Sequence, residues 1–310
     1  MFNQIKTIVL LGSLSAILVG CGAALGPFWL ITMTIVAIAL NFGAYFWSDR
    51  IVLTMHGARE ASRDEYPALH HMVQDLSYRA GLPAPRVYII DANYANAFAT
   101  GRNPQKGVVA VTTGLLEILS ERELRGVIAH ELAHIRNRDI LIASVAATLT
   151  AAISYIAQAL QLSALFGGNA SSEEEEQPSP WGGLLFALVA PLAATIVQLA
   201  ISRSREYIAD ATAAEITGDP EGLALALQKI AHVSESAQPA ESGEPEPTLA
   251  TASLFIINPL AGSWLSGWFS THPPTEERIY RLIAMEDAVF SMRQHDTLFR
   301  RSSPYEVSRM

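Results

Sequence analysis

Residues 130–134 read His-Glu-Leu-Ala-His. On a helix, positions four apart lie about 40° apart around the axis, so the two imidazoles point the same way and can grip one ion. Glu131 is turned about 100° from His130. That offset suits it poorly as a third ligand and well as a neighbour of a water on the ion. Zn²⁺ lowers the pKa of such a water toward ~7 and polarises a carbonyl. The glutamate can then take the proton and hand it to a leaving amine. A chain of this length and composition meets H-E-x-x-H by chance about once in a hundred. The bland alternative, a capped helix with surface histidines, therefore needs a coincidence.

Two imidazoles do not complete a catalytic zinc site, where a carboxylate commonly joins them and one position stays open for water. Glu206 in "SRSREYIADA" is the best candidate for that third ligand. Asp210 lies four residues on, on the same helix face, and would hold a ligand imidazole from behind. The competing reading makes Glu206 a helix-start carboxylate paired with Arg203 or Arg205. Asp139, five residues after His134, is either an anchor for Arg138 or the ligands, or a charge at a membrane boundary. His272, in "HPP", could donate a hydrogen bond to an oxyanion, or cap the helix that follows. Asn96, Ala97, Phe98, Ala99 and Thr100 form either an ordinary edge strand or one to which an extended substrate adds by backbone pairing. His70 and His71 read as solvent-facing. His56 and His232 show no pairing pattern.

These residues need elements to hold them, and the composition points to a membrane. Of 310 residues 50% are hydrophobic and only 16% charged, against about 25% charged in soluble domains. The formal net charge of −9 argues against nucleic acid as a partner. The single cysteine, Cys21, excludes an internal disulfide and a cysteine-rich metal site. Four uncharged apolar stretches, at about 7–26, 27–47, 140–166 and 181–202, approach or exceed the ~20 residues that cross a bilayer. Lys6, Arg50, Arg59, Arg63, Arg136, Arg138, Arg203 and Arg205 flank them on one side, whereas the loop at about 167–180 holds four glutamates and no Lys or Arg. By the positive-inside rule both termini and residues 48–139 face the cytoplasm, and the acidic loop faces out. "LVGC" at 18–21 also fits a lipoprotein cleavage site, but the chain continues into "FWLITMTIVAIAL" where a lipoprotein has a polar tether.

The pattern divides the chain into a membrane hairpin (1–47), a first cytoplasmic block (48–139), a second pair of spans (140–202) and a second cytoplasmic block (203–310). In the first block, Leu69, Met72, Val73 and Leu76 mark a helix stopped at Gly81. "RVYII" and "GVVAV" are strands, and "NAFATGRNPQ" between them turns at Gly101 and Asn103–Pro104. Ser120 with Glu123 is a capping box opening the helix that carries His130. Leu124, Val127, Ile128 and Leu132 form its apolar side. With no Gly or Pro between 127 and 166, that helix is free to run straight into the third span. In the second block, helices on either side of Gly218–Pro220 are followed by a Pro/Glu-rich stretch at 234–250, an aromatic segment and a last helix.

"NAFATG", "HELAHIRNRD", "SRSREYIAD" and "STHPPTEERI" resemble the HtpX family of bacterial membrane-bound zinc metalloproteases, relatives of the CAAX prenyl endopeptidases. The resemblance covers nearly the whole chain. It implies one Zn²⁺ per chain bound by His130, His134 and Glu206, with Glu131 as base, in an endopeptidase of membrane-protein quality control in the inner membrane. The expected fold is α+β and mainly α, a zincin-like catalytic unit with a small sheet merged with four transmembrane helices. The expected partners are membrane-protein substrates and the lipid bilayer, with no nucleic acid. Two other readings stay open: a non-proteolytic scaffold with structural zinc, and a protease with a narrow maturation substrate.

Overall fold

The computed structural model describes residues 2–152, 203–236, 256 and 273–286. Two long helices come first, α1 (Phe2–Leu25) and α2 (Pro27–Met55), both long and apolar enough to cross a membrane. Their outer faces are bare hydrocarbon, with Ile8 70% and Phe28 72% exposed. In water such a surface would be costly, and in lipid it is matched. The turn between them closes tightly because Gly22 has no side chain: a Cβ there would stand 2.7 Å from the Trp29 carbonyl oxygen. The Asn41 amide donates to Ser15 Oγ at 2.7 Å across the pair.

The chain then enters a catalytic block built on a four-stranded mixed sheet of order β1-β2-β4-β3. The elements are β1 (Arg59–Glu60), α3 (Pro67–Arg79), β2 (Arg86–Ile90), β3 (Ala97–Thr100), β4 (Val108–Thr112) and the short α4 (Thr113–Ile118). The β3–β4 hairpin turns at Gly101 and the Asn103–Pro104 pair as the sequence suggests. The parallel β2–β4 pairing and two-residue β1 are additions the sequence does not show. Alternation along each strand feeds two cores. Val87, Ile89, Ala97, Ala99, Val109 and Val111 pack toward α3 and α5 (Glu121–Arg136). Ile90, Phe98, Val108 and Ala110 pack on Val52 and Leu53 at the end of α2, and on Ala147 of α6 (Ile140–Ala152). The sheet is thus sandwiched between the ligand helix and the ends of the membrane helices.

Helix α5 opens with the predicted capping box, Ser120 bonding Glu123 reciprocally. It does not continue into the third apolar segment. It stops at Arg136, and Arg138 turns into the left-handed region at φ 59°. The Asp139 N–H then reaches the His134 carbonyl at 2.9 Å and the Arg138 N–H reaches Ile135 at 3.2 Å, the double bond of a Schellman stop. The expectation of one unbroken helix fails because an arginine occupies the position that usually carries glycine. α6 starts afresh and packs Ile142, Val145, Ala146 and Leu149 against Leu10, Leu14 and Ala44 of the hairpin.

Helix α7 (Arg203–Thr217) and α8 (Pro220–Ser236) break at Gly218 as expected. Gly126 of α5 lets the backbone of α8 approach so closely that a Cβ would meet Leu223 N at 2.7 Å. The last described helix, α9, spans 275–286. His272, the acidic stretch at 167–180, the fourth apolar segment and most of 234–250 lie outside the described residues.

Candidate metal centre

Helix α5 presents His130 and His134 on one face, and α7 packs beside it with Glu206 in its first turn. His130 Nε2 lies 3.2 Å from His134 Nε2 and 3.6 Å from Glu206 Oε2, and His134 Nε2 lies 3.7 Å from Glu206 Oε1. Donors at zinc's ~2.0–2.1 Å bond length in a tetrahedral arrangement stand about 3.3 Å apart, so this triangle has the size of one ion's ligand set. The outer nitrogens are held too. His130 Nδ1 sits 2.9 Å from Asp210 Oδ1, and His134 Nδ1 sits 3.3 Å from Asp139 Oδ2. With both Nδ1–H groups given to carboxylates, both Nε2 lone pairs face each other and Glu206. Three electron pairs converging at that range repel unless a cation lies between them.

Charge supports the same fit. Glu131, Glu206, Asp139 and Asp210 are all buried around the imidazoles. Against four carboxylates stand two guanidiniums: buried Arg278, and Arg205, which interacts with Asp139 and Glu206. With neutral imidazoles the balance is −2, which a dication cancels. Without the ion the same carboxylates draw a proton in its place: burial opposes charge on His130, but Asp210 and Glu206 outweigh it and raise its pKa to about 9. Burial likewise pushes the Glu131 carboxyl up, with the imidazoles and the Ala99 N–H pulling the other way.

The Ala99 bond ties the glutamate to the edge strand. Thr112 N–H donates to the Asn96 carbonyl at 3.0 Å, so Asn96 pairs inward. By the alternation of antiparallel pairing, Phe98 and Thr100 turn their backbone groups to β4, and Ala97 and Ala99 turn theirs outward. Asn96 itself precedes the strand. Its buried Oδ1 accepts the Ile256 N–H at 3.1 Å.

The family model of peptidase family M48 matches residues 63–286. The protease HtpX homolog of Sulfurihydrogenibium sp. (strain YO3AOP1) is 47% identical over 283 residues, 91% of this chain and 96% of that protein. That of Syntrophobacter fumaroxidans (strain DSM 10017 / MPOB) is 48% identical over 287 residues, covering 92% and 100%. The chain belongs to the HtpX family of M48 peptidases. Among solved structures, the crystal structure of S. mikatae Ste24p aligns at a TM-score of 0.49 and 20% identity, over 90% of this chain and 66% of that one. The protein is therefore a metallopeptidase with two helices able to span a membrane, of the family its four motifs resemble.

In this M48 peptidase the structure brings together every described residue the sequence singled out for the metal. It also adds one that sequence reading passed over. Arg278 on α9 is 1% exposed. Its Nε and Nη2 donate to Asp210 at 2.9 and 2.7 Å, and its Nη1 donates to the Ile256 carbonyl at 2.8 Å. Burial raises the Asp210 pKa, but Arg278 and His130 overcome it and hold the group down at about 2. Nothing local in the sequence marks it; only the fold shows that it shares the inward face of α9 with the fully buried Leu282 four residues on. His56 also proves buried, its ring tilted against that of Phe98 at 5.2 Å, where the sequence offered no role. His70 is half-buried and meets the Ala61 carbonyl at 3.0 Å, so it does not face solvent freely as expected.

Proposed function

We propose that this peptidase is a zinc endopeptidase that cuts membrane proteins at the cytoplasmic face, in quality control of the membrane. His130, His134 and Glu206 would hold the ion. Zinc bound there activates a water and polarises the scissile carbonyl. The chain's own part begins with Glu131, which accepts the proton of the attacking water on its buried carboxylate and returns it to the leaving nitrogen. Asp210 and Asp139 keep both Nδ1 protons in place, so both Nε2 atoms stay available as ligands. The outward backbone groups of Ala97 and the Ala99 carbonyl would receive an extended substrate beside the base, the Ala99 N–H being given to Glu131, while Phe98 and Thr100 fix the strand from behind. His272 would add an oxyanion donor. The cytoplasmic orientation rests on the Lys and Arg flanks.

The observation that carries this reading is the triangle of Nε2, Nε2 and carboxylate oxygens with Glu131 beside it on the same helix. The test is Glu131→Gln in protein reconstituted with a membrane-protein substrate. Zinc content should stay at one per chain while cleavage falls at least ~100-fold, the lower range for a general base. Unchanged turnover would sink the assignment of Glu131.

A further inference from the structure

The arginines of the catalytic block sort by their partners. Arg59, Arg79, Arg122, Arg125, Arg136 and Arg281 each bond a carboxylate. Arg50, Arg86, Arg102 and Lys106 bond none among the described residues, and all four gather at one end of the sheet. Arg86 opens β2 and its N–H meets the Gly107 carbonyl at 3.2 Å. Arg102 and Lys106 belong to the β3–β4 hairpin tip "GRNPQKG", which contains no acid. The Arg102 guanidinium lies 5.3 Å over the Phe46 ring. Arg50 is one helical turn beyond Phe46 on the same face of α2. Arg63 and Arg138 also lack a carboxylate among the described residues, but Arg63 follows β1 at the sheet edge opposite the hairpin and Arg138 follows α5, so missing partners alone do not define the patch.

Its height is set by the aromatics. Phe42, Tyr45, Phe46 and Trp47 are exposed on α2, their rings meeting edge to face or tilted. Such a girdle marks the headgroup level of a spanning helix. Residues 52–53 of α2, one to two turns further on, already pack on the back of the sheet. The contact of Arg102 with Phe46 fixes the level of the hairpin tip. The tip therefore lies at the girdle, and its cations meet the layer where lipid phosphates sit.

We propose that Arg50, Arg86, Arg102 and Lys106 form a binding surface for anionic phospholipid headgroups, which seats the tip of the substrate strand on the bilayer. It rests on the membrane reading of α2, and not on the zinc chemistry. Negative headgroups attract each nearby cation enough to change binding about fivefold per charge.

The experiment uses full-length, zinc-loaded protein carrying Glu131→Gln to prevent self-digestion. Bound phosphatidylglycerol and phosphatidylcholine are titrated by native mass spectrometry, and exchange of the 101–107 amides is followed in nanodiscs of each lipid. The starting protein should favour phosphatidylglycerol, with the hairpin protected in that lipid alone. Arg102→Gln with Lys106→Gln should lower phosphatidylglycerol affinity about 25-fold and leave phosphatidylcholine unchanged. Arg86→Gln with Lys106→Gln, which keeps the Phe46 contact, should do the same. Arg63→Gln is the matched control and should change nothing. Phosphatidylglycerol affinity unchanged from the starting protein in both double variants, or an equal loss with Arg63→Gln, would overturn the proposal. So would displacement of the lipid by glycerol 3-phosphate at the same concentration, which would reveal a site for free phosphate esters.

Discussion

Replacing Arg278 with methionine keeps most of the volume and removes the charge. Asp210 then stays in a buried site with two of its hydrogen bonds gone, those of 2.9 and 2.7 Å, and only His130 to share its charge. Breaking a buried pair from one side typically costs about 3–5 kcal/mol, most of it the stranded charge. At roughly 2–4 °C per kcal/mol for chains of this class, thermal unfolding in detergent should fall by about 6–20 °C. Asp210→Asn strands Arg278 in turn and should cost a similar amount. The double variant leaves no buried charge at this pair, so its loss should be smaller than the sum by ~2 kcal/mol or more. Metal affinity should separate from stability. Any variant with Asp210→Asn loses the carboxylate behind His130 Nδ1 and should bind zinc about 10–100-fold more weakly. Arg278→Met alone keeps that carboxylate and should stay closer to the parent. Both quantities are measurable on Glu131→Gln protein, by thermal melts and by competition with a chelator. Losses that add to within ~0.5 kcal/mol would refute the coupling read from the structure.

Three further changes probe the scaffold around the ligands. Gly126→Ala drives a methyl into the backbone at Leu223, so it should cost about 1–3 kcal/mol and lower zinc retention by shifting α5; a melt unchanged to within a degree would contradict the close approach. Arg138→Gly relieves a left-handed residue and should stabilise by ~1 kcal/mol, while Arg138→Ala, which has the same backbone penalty, should not. Glu123 is buried, which raises its pKa, but Lys229 at 2.8 Å and Ser120 more than reverse this, so the group sits below its ordinary value. Its stability contribution is therefore complete above the ordinary glutamate pKa and lost as pH falls through the lowered one. The gap in melting temperature between parent and Glu123→Gln should be full at pH 7 and shrink steadily below about pH 4; a gap that widens in acid has the wrong sign.

What could be read from the chain followed the range of the interactions. The ligand pair His130 and His134, the capping box at Ser120 and the hairpin at Gly101 are set within four or so residues, and each lies where its spacing put it. Glu206 was harder, since its place depends on α7 packing against α5. Arg278 was illegible because its partner Asp210 is 68 residues away and His130 is 148 away. No local pattern distinguishes an arginine that will be buried from one that will be solvated. The helix break after Arg136 was missed for a different reason. Stop signals are statistical preferences for Gly or Pro, and here an arginine bears the left-handed cost while two backbone bonds hold it there.

That break decides how the site relates to the membrane segments. A single helix running through residue 139 would have kept the ligands and the third apolar segment on one axis. Instead, the chain passes at Asn137–Asp139 from the front of the sheet, where α5 lies, to the back, where α6 packs with α2. It crosses beside β3 and grips it from both sides. In front, Glu131 takes the Ala99 N–H. Behind, Ser144 of α6 bonds Thr100 at 2.7 Å. The same turn sets Asp139 behind His134. One three-residue stop therefore fixes a ligand's orientation, the position of the candidate base and the seat of the edge strand relative to the membrane helices. It follows that the seat of β3 is set by the sheet wedged between α5 and α6, and that Thr100→Val, which removes the bond to Ser144, should lower cleavage while zinc content stays at the parent's level.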